Sequence, residues 1–471
     1  MSDRETVKDL ARWVLSLQAG NLSSAVIAQA RLLVLDTVGC ALGTLDEPEA
    51  IEAVRAVATL GGSRQCTVIG SKLKTSAHNA VLANGILVRF LDLNDYTIGR
   101  GREGPTVGGH PSDNIAVALA MGEWRKRSGK DVIAAIVTGY ELYSRLAALY
   151  DQGGTWDLTS VSGLVSAAIA GRLLGLDAER MANALALGAA RAMTPAIVRF
   201  GHITAAKFLT NPLIAQSGVT AAVLAAGGMS GPQAVLDDRR GIRALFKGDA
   251  DPASLAAPWA GEFAILRSNV KAYPCLATGQ AAVAAAIDLH RRLAGRIEQI
   301  ERIDVIMTDH PFVKAQQEDE DRRHPDSREA ADHSFYFLVA VALLDGQLGS
   351  RQFDNERWRD PALTGLMAKI TMVSDPTWRK RAPDGYPCTV KVSMGDGTEH
   401  KSDVAYAPGF SKGGLDRATV EAKFDAITDG VLSAPQKKKL KTTVARLEKL
   451  STIDPVMSLL KGKARRAKAK R

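Results

Sequence analysis

Four stretches of the chain carry side chains able to hold carboxylates or move protons. The first runs Arg89-Phe-Leu-Asp-Leu-Asn-Asp95, continues through a glycine-rich loop, and ends Gly109-His-Pro-Ser-Asp-Asn114. Asp92, Asn94, Asp95 and His110 could converge there, and polar residues on loops held by a rigid scaffold are where catalysis concentrates. The same residues also fit a helix C-terminal turn, with Ser112 or Asp113 capping the next helix. As a metal set, Asp92, Asp95 and His110 match no standard ligand spacing, so no metal is expected. The second stretch, Arg199-Phe-Gly-His-Ile-Thr-Ala-Ala-Lys207, precedes an uncharged run from Phe208 to Leu236. Lys207 could present its amine to bound carboxylates or snorkel from a helix end. The third, Lys271-Ala-Tyr-Pro-Cys275, places a lysine beside a proline-fixed turn, facing either a cleft or solvent. The fourth includes Asp332-His333-Ser334, which could cap a helix or touch a ligand.

No phosphate loop, HExxH or GxSxG is present. Gly99-Arg-Gly-Arg-Glu-Gly104 spells GxGxxG, but it follows a helical pattern and opens no helix, so it is not read as a dinucleotide cradle. Lysines, an arginine, carboxylates and a histidine without a cofactor cradle fit acid–base chemistry on a carboxylate-bearing small molecule. His110 is the preferred proton carrier, since a reference pKa of ~6.5 suits transfer in both directions. Asp92 would orient it or act as the base itself. Lys207 and Lys271, helped by Arg199, would hold the substrate's carboxylates.

These groups must be positioned by helices. Apolar residues recur at three- and four-residue spacing over 6–17, 23–42, 47–60, 76–91, 114–127, 129–150, 160–174 and 177–192. Several of these helices are apolar nearly all round, as in a multilayer all-α domain. The texture changes near residue 269. Ile300–Met307 alternates as a half-buried strand should, 368–373 is a second strand candidate, and 389–394 opens a hairpin through Gly395-Asp396-Gly397. Helical patterns over 278–293 and 330–344 lie among them, and an amphipathic helix is expected from Asp416 to about Leu460. The expected architecture is mainly α: a helical domain (1–268 plus 408–471) with an inserted α+β lid (269–407). A cleft between the two is a natural ligand site.

The 471 residues suffice for large cores, and alanine-rich, aromatic-poor composition favours helix. Four scattered cysteines without a CxxC give neither a disulfide framework nor a zinc knuckle. The net charge of +9 is placed unevenly. Seven basic residues fall within 461–471, leaving +2 for the other 460. This reads as a solvated terminus rather than a nucleic-acid surface. Mixed charges precede any apolar run at the N-terminus, which is not how a signal peptide begins. The uncharged 208–236 run contains Asn211, Pro212, Gln216 and four glycines, so a buried core helix is expected rather than a membrane span. A cytoplasmic location is expected.

Taken together, these strings resemble the MmgE/PrpD family, which includes 2-methylcitrate dehydratase and cis-aconitate decarboxylase. The resemblance runs from Val34-Leu-Asp-Thr-Val-Gly39 to the last helices. It is carried by Asn84-Gly85 with the Arg89–Asp95 string, His110–Asn114, Thr138-Gly-Tyr-Glu141, Lys271-Ala-Tyr-Pro274, and Asp332-His-Ser334 with Ala342-Leu-Leu-Asp-Gly346. The wording of the first two looks closer to the dehydratase branch. The resemblance implies a homodimer and no metal or organic cofactor. It also implies an active-site cleft that carries Asp92, His110, Lys207 and Lys271. Asn94, Asp95, Arg199 and His333 are expected, from the residues themselves, as further substrate contacts. Two departures stand out. Trp156 occupies a position where the decarboxylase branch has histidine, and the stretch around Thr278 lacks a second family histidine. The reaction implied is dehydration of a 2-methylcitrate-like hydroxy tricarboxylate. Epimerisation or another lyase reaction on a related acid, and a non-catalytic binding role, remain the alternatives.

Overall fold

The computed structural model describes residues 5–101, 104–151, 155–191, 193–259, 261–411 and 413–462. Residues 463–471 of the basic tail lie outside them, as do two residues of the GxGxxG-like string. The protein is mainly helical. Three helices dominate the first unit: Ser24–Gly43, Gly129–Leu149 and Ala206–Ala226. Ser23 caps the first through the Val26 amide, and Ser128 with Asp131 forms a capping box on the second. Each is long and apolar enough to cross a membrane, yet most of each is buried against its neighbours. A large core gathers apolar residues from Val7 to Val270 and again from Val420 to Leu460. The last helices therefore return to the first unit's core.

The second core spans Cys275 to Met394 and surrounds a four-stranded sheet. In spatial order its strands are Ile370–Ser374, Ile300–Met307, Cys388–Met394 and Glu399–Val404. The first two run parallel; the remaining neighbours are antiparallel. Strand Ile300–Met307 alternates inward and outward from Ile303 onward, after a register shift between Ile300 and Arg302, and the 389–406 hairpin forms. Helix Gln280–Leu293 packs on the sheet, and Phe335–Asp345 packs against that helix.

Several expected boundaries move. The 416–460 stretch is not one helix but Arg417–Ile427, Ala434–Val444 and Asp454–Leu459 with a 3-10 turn between the last two. Pro435 and Pro455 each open a new helix, because proline fits the first turn and not the interior. The 330–344 pattern splits at Ser334, whose hydroxyl caps the second piece through the Phe337 amide. The loop after Tyr96 contains a short hairpin, Ile98–Gly101 with Gly104–Val107, where glycine-rich sequence gave no strand signal. The 208–236 run is helical only to Ala226 and contains Pro212. That proline packs on Gly85 of helix Ala77–Arg89, where an added Cβ would lie 3.0 Å from the Pro212 ring.

Candidate active site

The site forms where the two cores meet. Helix Ala77–Arg89 ends at a tight turn in which Asp92 adopts a left-handed backbone, φ +47°. Helix Ala206–Ala226 brings Lys207 from its first turn, and the segment linking the two units brings Lys271. The second unit supplies Asp332 and His333 from the turn before Phe335–Asp345. Further bonds join the units nearby: Ser327 Oγ donates to the Ile203 carbonyl at 2.7 Å, and Arg328 pairs with Glu47 at 2.9 Å.

Asp92 is the hub. Its Oδ1 accepts from Arg89 at 2.5 Å and from Lys271 Nζ at 2.6 Å, while Oδ2 lies 3.4 Å from Lys207 Nζ. Lys271 also donates to the Asp92 carbonyl at 2.8 Å. Lys207 holds both oxygens of Asp332 at 2.6 and 2.7 Å and lies 3.0 Å from His333 Nδ1. His333 Nδ1 also contacts Asp332. The structure thus brings Asp92, His110, Lys207, Lys271 and His333 together. His110 donates its Nδ1–H to the Asp95 carbonyl at 2.6 Å, which leaves Nε2 as the unprotonated nitrogen, 4.0 Å from Asp92 Oδ1.

Charge and burial set the protonation states. Burial would raise Asp92, but Arg89, Lys271, Lys207 and His110 hold it well below the usual carboxylate range. Burial would likewise raise Asp332, and Lys207 with His333 outweighs it. Burial, with Arg89 and Lys271 nearby, pushes His110 well below the ordinary imidazole value. Burial and Lys207 push His333 down to about 3. Burial, reinforced by Arg89, brings Lys271 down to about 8 despite Asp92. At neutral pH both imidazoles are therefore neutral. This corrects the reference-value argument for His110: the ring is a base there, not an even donor and acceptor. Arg89, Lys207 and Lys271 face the ionised pair Asp92 and Asp332, and Asp113 Oδ2 lies 4.0 Å from Arg89 Nε on the far side.

Access differs from the sequence-based expectation. The Lys271 side chain is 0% exposed and Lys207 only 3%, so Asp92 and Asp332 take the ammonium protons intended for substrate. The lysines form the charged floor of the site rather than its surface. His110 and His333 are each 15% exposed and Arg199 is 22% exposed. Arg199 is held by Asp157, Nε to Oδ2 at 2.9 Å. Asn94 and Asp95 lie behind the floor. Asn94 donates to Ser112 Oγ at 2.9 Å and Asp113 at 2.7 Å and accepts from Arg89 at 3.1 Å. Asp95 accepts from the Ser112 amide at 3.1 Å and the Tyr140 hydroxyl at 2.8 Å, and burial pushes its carboxyl up to about 7. Both are fully enclosed, so no atom of either is free for a ligand. Trp156 and Thr278 bring no imidazole to the site.

Arg89 and Asp332 were not among the expected site residues. Arg89 had a signal in its spacing, three residues before Asp92 at a helix end; Asp332, beside His333, fits either a cap or a ligand contact by sequence. Asp92, Asp332 and His333 could by type hold a metal ion, their ligand atoms all lying within 4.8 Å of one another. The Lys207 ammonium sits among them, and a divalent ion would have to displace it.

The MmgE/PrpD N-terminal domain matches residues 8–255 and the MmgE/PrpD C-terminal domain residues 273–449. Human cis-aconitate decarboxylase is 27% identical, aligned over 98% of this chain and 95% of its own length. The mouse protein of that name is 26% identical over similar spans. The 2-methylcitrate dehydratase of Cupriavidus necator is also 27% identical, over 78% of each chain. Identity alone does not separate the two branches. With both domains matched across most of its length, the chain belongs to the MmgE/PrpD family.

Proposed function

We propose that the protein is a cofactor-independent lyase that removes water from a 2-methylcitrate-like hydroxy tricarboxylate. The observation that carries this reading is His110: a neutral imidazole, anchored through Nδ1, with Nε2 beside the Asp92 carboxylate. Nε2 takes the proton from the carbon next to a substrate carboxylate. Asp92 then faces the imidazolium. The positive charges of Arg89, Lys207 and Lys271 stabilise the enolate-like charge, in a site only partly open to water. Lys207, the less enclosed of the two lysines, turns one proton from Asp332 to the departing hydroxyl, and the proton held by His110 returns to it before the next turnover. One proton and one hydroxide leave as water and a carbon–carbon double bond forms. Arg199, braced by Asp157, meets an outer carboxylate. The names of the dehydratase relatives support the substrate class.

A second reading is decarboxylation of cis-aconitate, favoured by the decarboxylase relatives that align with nearly the whole chain. The absence of imidazoles at Trp156 and around Thr278 weighs toward dehydration. Metal-free protein incubated with 2-methylcitrate, citrate and cis-aconitate separates the outcomes by mass spectrometry. Loss of water from 2-methylcitrate is expected. Loss of carbon dioxide from cis-aconitate would establish the second reading. Deuterium uptake from heavy water without either loss would point to epimerisation. Ligand-induced stabilisation without any conversion would leave a binding protein. The proposal includes a homodimer. Leu213, Val223 and Leu224 on helix Ala206–Ala226, with Ile197, Phe200 and Met229 close by in sequence, are exposed apolar side chains that a second copy could cover.

A further inference from the structure

The turn that presents Asp92 is held by its carbonyls. Lys271 Nζ donates to the Asp92 carbonyl at 2.8 Å, and His110 Nδ1–H to that of Asp95 at 2.6 Å. The Asn269 amide donates to the Tyr96 carbonyl at 2.8 Å. These three donors belong to the site or stand two residues from it. The fourth does not. Lys423, on helix Arg417–Ile427 of the C-terminal segment, donates to the Leu93 carbonyl at 2.6 Å. Its ammonium is anchored on Asp36, 2.6 Å away in the middle of helix Ser24–Gly43, and both side chains are buried.

A buried ion pair is weak evidence for stability, because two charges must lose their water to form it. Here the pair has a directed third contact, one residue past Asp92. Asp92 itself lies in left-handed backbone, which a residue other than glycine keeps only where its surroundings over-determine it. Lys423 touches no site side chain. Its reach ends at the backbone of the turn.

We propose that Lys423, anchored by Asp36, is a positioning residue for the reaction: its bond to the Leu93 carbonyl fixes the turn that aims Asp92 at His110 and the two lysines. The proposal rests on the lyase reading for its effect on turnover, but its effect on the turn stands apart from that reading. It also gives the C-terminal helices a role in the site that they do not line.

The test compares Asp36→Leu/Lys423→Met with the single variant Asp36→Asn. The double variant replaces the ion pair by apolar groups of similar size, an exchange that is often neutral for stability. Asp36→Asn removes the anionic anchor and leaves the Lys423 amine able to donate to Leu93. For the double variant, kcat on the substrate that the wild type converts falls about tenfold to a hundredfold, as for small misplacements remote from the chemistry. KM stays near the wild-type value, because no substrate contact is lost. Hydrogen exchange in a peptide spanning 90–97 quickens, while the melting temperature changes little. Asp36→Asn keeps most of kcat and the slow exchange of that peptide. Wild-type kcat and exchange in the double variant would overturn the proposal. So would an equal loss in Asp36→Asn without faster exchange in the 90–97 peptide, which would show that the effect does not pass through the turn. A wild type inert toward all three acids would remove the lyase reading, and the exchange measurement would still decide whether Lys423 orders the turn.

Discussion

Replacing Lys207 by methionine should turn His333 from a permanently neutral ring into one that titrates. The Lys207 ammonium lies 3.0 Å from His333 Nδ1. At an effective dielectric of ~20, one positive charge at that distance opposes a second by about 5.5 kcal/mol. At ~1.4 kcal/mol per pKa unit this corresponds to about 4 units. The ring is 15% exposed, so water screens part of that repulsion. If half survives, removing the amine moves His333 from about 3 to about 5 or above. The neighbouring Asp332 loses its chief cation in the same variant, so the two groups share the incoming proton and titrate as a pair. Imidazole nitrogen shifts followed by NMR from pH 8 to pH 4 report the change. The wild-type ring should show none. A variant whose ring also stays neutral down to pH 4 would refute the charge assignment, and with it the account of the site as a floor of paired ammoniums.

Other outcomes follow from the same geometry. His110→Ala should abolish turnover while tricarboxylate binding remains measurable by calorimetry; full activity would remove the base from the mechanism. Because burial, Arg89 and Lys271 hold His110 low, kcat/KM in the wild type should stay level from pH 7.5 to below 6, whereas an acid limb near 6.5 would contradict it. Asp95 bears on stability. With its folded value raised to about 7, the native state holds a proton that the unfolded chain has released, so stability falls as pH rises from about 4 to 7. Asp95→Asn should flatten that part of a melting-temperature profile. Gly109→Ala should lower the melting temperature, by about 1–3 kcal/mol of stability, since φ is +77° and the new methyl would lie 2.1 Å from the Tyr143 hydroxyl.

The helices were legible wherever a long apolar period ran between clear caps. The strand Ile300–Met307 and the 389–406 hairpin were legible from alternation and a Gly-Asp-Gly turn. The breaks before Ala434 and Asp454 were present in the sequence as prolines at the second helical position, Pro435 and Pro455, but the amphipathic pattern ran across them. The short hairpin after Tyr96 could not be read, because its glycine-rich strands carry no alternating apolar signal. At the site, residue types were enough to isolate Asp92, His110, Lys207 and Lys271. Their exposure was not legible, because it depends on which anions share the space. Asp332 lies 125 residues from Lys207 in sequence, and only folding shows that it claims that amine. Asn94 and Asp95 share the Asp92 string yet face inward, where Ser112 and Tyr140 wait for them.

The contact between Gly85 and Pro212 has a consequence for the spacing of the site's charges. Gly85 stands four residues before Arg89, about 6 Å along its helix, and Pro212 five residues after Lys207, about 7.5 Å along its own. The two rods thus touch at a common bearing point, with one cation overhanging from each. A methyl group at position 85 would act like a shim between them, widening the gap at the bearing and moving Lys207 away from Arg89 and Asp92, which ride together on the other rod. The separation of two charges at the heart of the molecule is gauged, at a distance, by the width of a single hydrogen atom.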